Sequence, residues 1–147
     1  MRGSSILGMN QRDLIDFVRR QPWAVEASVS QSGWPQAAVI GVVASDEAEL
    51  FFDTLETSRK CKNLRADPRI AFVIGWDDAQ TIQLEGIADE PGGAELARLK
   101  ALYFARFPDG VERAAASSVA YFRVRPSWAR YSDFRGKEPV VVEVTLR

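Results

Sequence analysis

The 147-residue chain is 46% hydrophobic and almost neutral, its 19 Lys and Arg offset by 20 Asp and Glu for a formal charge of -1. That length suits one domain with a continuous core, and the balanced charge gives no footprint for nucleic acid or an anionic membrane. No window reaches about 18 consecutive apolar residues, and the absence of histidine excludes Ser/His/Asp and Cys/His triads, His-bearing zinc sites and the usual general acid and base.

Residues 1–9 carry no pattern and are set apart as a flexible N-terminal remnant, with Met9 a natural start; residues 10–147 are read as a single domain. Asn10 reads as an N-cap, and Leu14, Phe17 and Val18 at i, i+3 and i+4 predict a short amphipathic helix closed by Arg19 and Arg20 before Pro22. Apolar runs at residues 23–29 and 37–44, separated by the Ser32-Gly33 turn signal, predict a hairpin. A strand over residues 50–54 follows an acidic turn, and a helix from Ser58 to about Ala66 is closed by Asp67-Pro68. The lone Cys61 in that helix is read as a buried, inert thiol, and a chain with one cysteine and no signal-like leader is expected in the reducing cytoplasm.

Residues 69–76 and 81–88 predict two antiparallel strands joined through Asp77-Asp78, the second alternating Ile82 and Leu84 with Thr81, Gln83 and Glu85. Leu96, Leu99, Leu102 and Tyr103 line one side of a helix ending near Pro108. Residues 110–118 read as a small-residue linker, followed by strands over 118–126 and 140–146. The predicted fold is mainly β (α+β), a six- or seven-stranded antiparallel split β-barrel with flanking helices.

One helix is charged the wrong way. The first turn of a helix carries about +0.5 charge and attracts Asp or Glu, yet Arg59, Lys60 and Lys62 crowd the start at Ser58. A solvated basic face is the plain alternative, and Ser58 serves as an N-cap in either case; a bound phosphate explains the placement. Asp53 and Thr54 end the preceding strand beside that point, and the small apolar stretch Ala37, Ala38, Val39 and Ile40 lets a planar group approach the backbone. A flat heterocycle with a phosphate tail suits this set.

The segments GWPQAAVI, FFDTLETSRKCKNLRADPRIAFVIGW, TIQLEGIA and YFRVRPSWARYSDF resemble, in order and spacing, the FMN-binding split barrels related to pyridoxamine 5′-phosphate oxidase, over residues 13–146. The resemblance implies a homodimer with FMN in two clefts at the subunit interface. It sets Ala37, Ala38, Val39 and Ile40 along the isoalloxazine and Asp53 and Thr54 near its polar edge or ribityl chain. Ser58, Arg59 and Lys60 take the phosphate, with Asn63 and Leu64 completing the block. Thr81, Gln83, Trp128 and Arg130 come from the opposing subunit.

Departures from the family matter as well. The vitamin B6 oxidases carry Arg and Lys where this chain has Ala38 and Val43, and their Arg-x-His motif is matched by Arg130-Tyr131-Ser132 without the histidine. The resemblance therefore implies an FMN-dependent oxidoreductase or flavin reductase acting on a small organic substrate with NAD(P)H or oxygen, rather than pyridoxamine-phosphate oxidation. A substrate would stack against Trp128 or Tyr131, with Arg130 drawing an anionic group. The alternatives are an F420-binding reductase of the same fold and a non-catalytic flavin or haem carrier or sensor.

Overall fold

The computed structural model describes residues 8–147. The strands are β1 Met9–Asn10, β2 Ala24–Val29, β3 Pro35–Ile40, β4 Val43–Ala44, β5 Leu50–Leu55, β6 Arg69–Ile74, β7 Gln80–Asp89, β8 Val119–Asp133 and β9 Val140–Thr145. The helices are α1 Gln11–Arg20, α2 Arg59–Ala66, α3 Gly93–Arg106 and α4 Asp109–Ala116. Met9, counted with the leader from sequence, pairs with Val144; residues 1–7 of that leader lie outside the described residues.

The strands run in the order β1-β9-β8-β7-β6-β2-β3, with β5 joined to β8 and β4 to β5. All pairs are antiparallel except β1 with β9. The long β8 splits the barrel. One edge pairs with β7 over Arg123 to Asp133, while the other pairs first with β5 over Val119 to Val124 and then with β9 over Arg130 to Asp133. Sequence reading ends this strand at Pro126, but the strand continues to Asp133 because the ladder shifts register between Glu85 and Gly86, opposite Pro126. A bulge is where a strand tolerates a residue with no N–H, and Ser127 there returns its hydroxyl to the Glu85 carbonyl at 3.3 Å.

Two further boundaries differ from expectation. The second hairpin strand starts at Pro35 and breaks at Gly41-Val42 into β3 and β4. Pro35 is accommodated on an edge strand, and the break occurs where a Cβ on Gly41 would come within 2.7 Å of the Phe107 ring. Residues 110–118 are no linker; most of them form α4, whose alanines are strong helix formers and whose first turn carries Asp109 and Glu112 against the N-terminal dipole.

Helix α1 has the expected cap. The Asn10 side chain accepts from the Asp13 N–H at 2.9 Å, and the Asp13 carboxylate accepts from the Asn10 N–H at 3.1 Å. Its buried face of Leu14, Ile15, Phe17 and Val18 joins a core centred on Phe51, Phe52 and Phe122. Phe52 stacks on Phe122 at 5.9 Å and meets Phe72 edge-on at 6.2 Å. Each such ring adds about 1.5–3 kcal/mol through burial alone.

Pairing registers decide which side chains share a face. Ala38, Glu26, Phe72, Leu84 and Ala129 form one row on the inner face across β3, β2, β6, β7 and β8. On the outer face, Val39, Val25, Val73, Gln83 and Arg130 form a row, and beside it Ala37, Ala27, Ala71, Glu85 and Trp128 form another.

Candidate functional site

Strand β3 ends the sheet order, so one of its edges has no strand partner among the described residues. Its N–H and C=O groups on that side are open to a ligand. Across from it lies a cleft of about 390 Å³. Val39, Ile40 and Gly41 form one wall, Asp53, Thr54 and Ser58 another, and Tyr103, Phe107 and Arg113 from α3 and α4 a third. That size falls in the range of small-molecule sites, roughly 300–1,000 Å³.

The start of α2 is built as the sequence suggests. Ser58 accepts from the Cys61 N–H at 3.1 Å, and its hydroxyl meets that of Thr54 at 2.7 Å. Lys60 reaches the same Thr54 oxygen at 3.4 Å. No acidic residue stands in the first turn. Of the three cations, Arg59 and Lys62 are exposed and Lys60 is half-buried, turned between the cleft and a second hollow of about 130 Å³. That hollow is lined by Ala37, Ala38, Arg59, Lys60 and Asn63, together with Glu26 of the inner face. Lys60 is therefore the hinge between the two spaces.

Several expected residues are already engaged within the chain. Asp53 accepts from the Tyr103 hydroxyl at 2.9 Å through Oδ1 and from Arg113 at 2.8 Å through Oδ2, so it serves as a wall of the cleft with both oxygens taken. Burial, and then the Asp53 carboxylate, push the Tyr103 phenol well above its ordinary value, so it stays a donor. Asn63 donates to Ser28 at 3.1 Å and to Gln36 at 2.9 Å, tying α2 to the β2–β3 hairpin. Leu64 lies in the core at 3% exposure. Burial raises the Cys61 thiol, which keeps it protonated.

The remaining residues lie on the outer face. Gln83 and Trp128 border a shallow hollow with Val25 and Val73, Arg130 stacks over the Trp128 ring at 5.2 Å and pairs with Glu143 at 3.3 Å, and Thr81 lies on the same side of β7. Within one chain they share a sheet face with Ala37 and Val39 but are separated from Lys60 by β2 and β6. Tyr131 points the other way. It is buried, meets Phe17 edge-on at 6.0 Å and donates to Gln80 at 2.8 Å, so it offers no stacking platform beside Trp128.

Sequence reading missed Glu26, Tyr103, Phe107 and Arg113. Glu26 carries a local signal, a charged residue at the inward-facing phase of an alternating strand, AVEASV. The α3 and α4 residues carry none, since their role depends on how the helices fold back over β5.

The chain matches the family described as pyridoxamine 5′-phosphate oxidase over residues 12–133. It is 29% identical over 114 residues to a pyridoxine/pyridoxamine 5′-phosphate oxidase of Bordetella avium (strain 197N), covering 76% of this chain and 43% of that relative. Its fold superposes on a haem-binding protein from Mycobacterium smegmatis with a TM-score of 0.74 at 18% identity, over 88% of this chain and 55% of the other. A structure described as an F420 reductase aligns with a TM-score of 0.59 at 20% identity, over 78% of this chain and 93% of the other. The chain thus spans less than half of the curated relative. With residues 12–133 matched and the split barrel in place, it belongs to the pyridoxamine 5′-phosphate oxidase family.

Proposed function

We propose that this chain binds FMN and works as an FMN-dependent oxidoreductase or flavin reductase on a small organic substrate, with a nicotinamide donor or oxygen as electron partner. The observation that carries this reading is the start of α2, where Ser58, Thr54 and Lys60 are linked to one another next to the open edge of β3 with no acid in the first turn. Free N–H groups and cations there suit a phosphate. The backbone of Ala37, Ala38, Val39 and Ile40 suits the hydrogen-bonding edge of a flat ring, and Trp23 and Phe107 give the same cleft apolar walls.

When bound, the flavin supplies the redox chemistry. The chain's part is to bind, orient and exclude water. Arg59 and Lys60 hold the phosphate, and Phe107 and Tyr103 close the cleft on one side. The outer-face residues Thr81, Gln83, Trp128 and Arg130 complete the site from a second copy, since their own cleft lies behind β2 and β6. The exposed Val39 and Val73 give that face the apolar area an interface needs.

A deazaflavin is the second reading, supported by the likeness to the F420 reductase fold and by the exposed cations Arg59 and Lys62 at the start of α2, which suit an acidic tail. Titration of the full chain with FMN and with F420, followed by flavin fluorescence, separates the two. Tighter binding of FMN supports the first reading; tighter F420 binding replaces it, and binding of neither at micromolar concentration defeats both.

A further inference from the structure

Among the described residues, Glu26 is the acidic side chain lining the hollow beneath the anion site. It is 1% exposed, and its Oε1 has no hydrogen-bond partner. A buried oxygen without a donor is costly unless a ligand or a proton relieves it. Ser28 and the Ala38 backbone already serve the carboxylate, and the cations lining the hollow, Arg59 and Lys60, leave Oε1 unbonded. Both amide hydrogens of Asn63 go to Ser28 and Gln36. From α2 the charged residues lining the hollow are Arg59 and Lys60; β3 presents Gln36 and Ala38, and β6 presents Phe72 opposite Glu26, none of them titratable.

We propose that Glu26 belongs to the anion site as its proton carrier: when a phosphomonoester enters, the site takes up one proton, which Glu26 holds while Lys60 turns its charge to the phosphate. This rests on the start of α2 being the phosphate site. Burial already pushes Glu26 up to about 7, with Lys60 pulling it down, followed by Ser28 and the Ala38 backbone. An arriving dianion raises it further by repulsion, and withdrawal of Lys60 towards the phosphate acts in the same direction. Below pH 7 the proton is already in place and binding does not depend on it. Above pH 7 it must come from solvent, and affinity falls by about tenfold per pH unit for one linked proton. The phosphate's own second ionisation, near 6, lies below this window and acts in the opposite sense.

The test uses the full chain, titrated with FMN and with riboflavin at pH values from about 6.5 to 8.5, as wild type and as Glu26→Gln. Wild type is expected to lose about tenfold in FMN affinity over the last pH unit, with riboflavin changing less than about twofold and the variant flat for both. Calorimetry near pH 8 in two buffers of different ionisation enthalpy reads the proton directly, with about one taken up per FMN in wild type and none in the variant. Equal pH slopes in the two proteins, or no proton uptake in wild type, overturn the proposal while the FMN reading stands. Failure of FMN to bind at any pH overturns both.

Discussion

Arg113 of α4 lies with Nε and Nη2 each 2.8 Å from Oδ2 of Asp53 on β5, while Tyr103 of α3 holds the other oxygen at 2.9 Å. One buried carboxylate thus pins both helices over the cleft. The Asp53 side chain is 7% exposed and Arg113 32%, so removing the cation leaves a charge with little water to replace it. Arg113→Ala is expected to cost about 2–4 kcal/mol in urea unfolding. Asp53→Ala combined with Arg113→Ala should cost less than the sum of the single changes, because the double variant leaves no unpaired charge. Additive losses would show that the pair is only adjacent.

The cations at the start of α2 predict effects of opposite sign on stability and binding. Arg59 opposes the helix dipole at an exposed position, so Arg59→Glu should stabilise the ligand-free protein by about 0.3–1 kcal/mol. The same change should abolish FMN binding at micromolar concentration, and Arg59→Ala with Lys60→Ala should weaken it by on the order of 1.5–3 kcal/mol per lost contact. Thermal melts and flavin-fluorescence titrations read the two effects separately. Unchanged affinity would place the phosphate elsewhere.

The contrast between α2 and α4 marks what one sequence can disclose. Ser58, Lys60 and Thr54 lie within a few residues of each other, so cap and cations could be read from local spacing, and the structure brings them together. The β2–β3 hairpin and α1 were legible for the same reason, through a turn glycine and an N-cap asparagine. Arg113 meets Asp53 across sixty residues, and nothing local distinguishes it from the small residues around it. The run from Ala37 to Ile40 was legible as a strand, but its alternation divides it: Ala37 and Val39 face outward while Ala38 and Ile40 face Glu26 and the core. The bulge opposite Pro126 was hidden for a related reason, since it depends on which strand pairs with β8.

The outer face carries a prediction about assembly. Val73 is 38% exposed in the row that joins Val39 to Gln83 and Arg130, and it lines neither the cleft nor the Glu26 hollow. Wild type should sediment as a dimer of the 16.4 kDa chain, and Val73→Asp should shift it to monomer. FMN affinity should fall in the same variant even though no cleft residue of its own chain has changed. A monomeric wild type that binds FMN tightly would remove the second copy from the site.

Glu26 adds a pH dependence to the ligand-free fold between about 4.5 and 7. Its folded value of about 7 lies above the ordinary 4.5, so between those limits the native state keeps a proton that the unfolded chain has released. Its contribution is therefore fully present below pH 4.5, declines as pH rises through the window, and is lost above about 7, a total on the order of 3 kcal/mol. Glu26→Gln keeps the shape of the neutral acid without the proton. It should unfold at the same urea concentration as wild type near pH 4.5 and at a distinctly higher one at pH 8, where wild type buries a charge. Wild type and variant losing stability in parallel between those pH values would mean that water or Lys60 already neutralises the cost of the buried carboxylate.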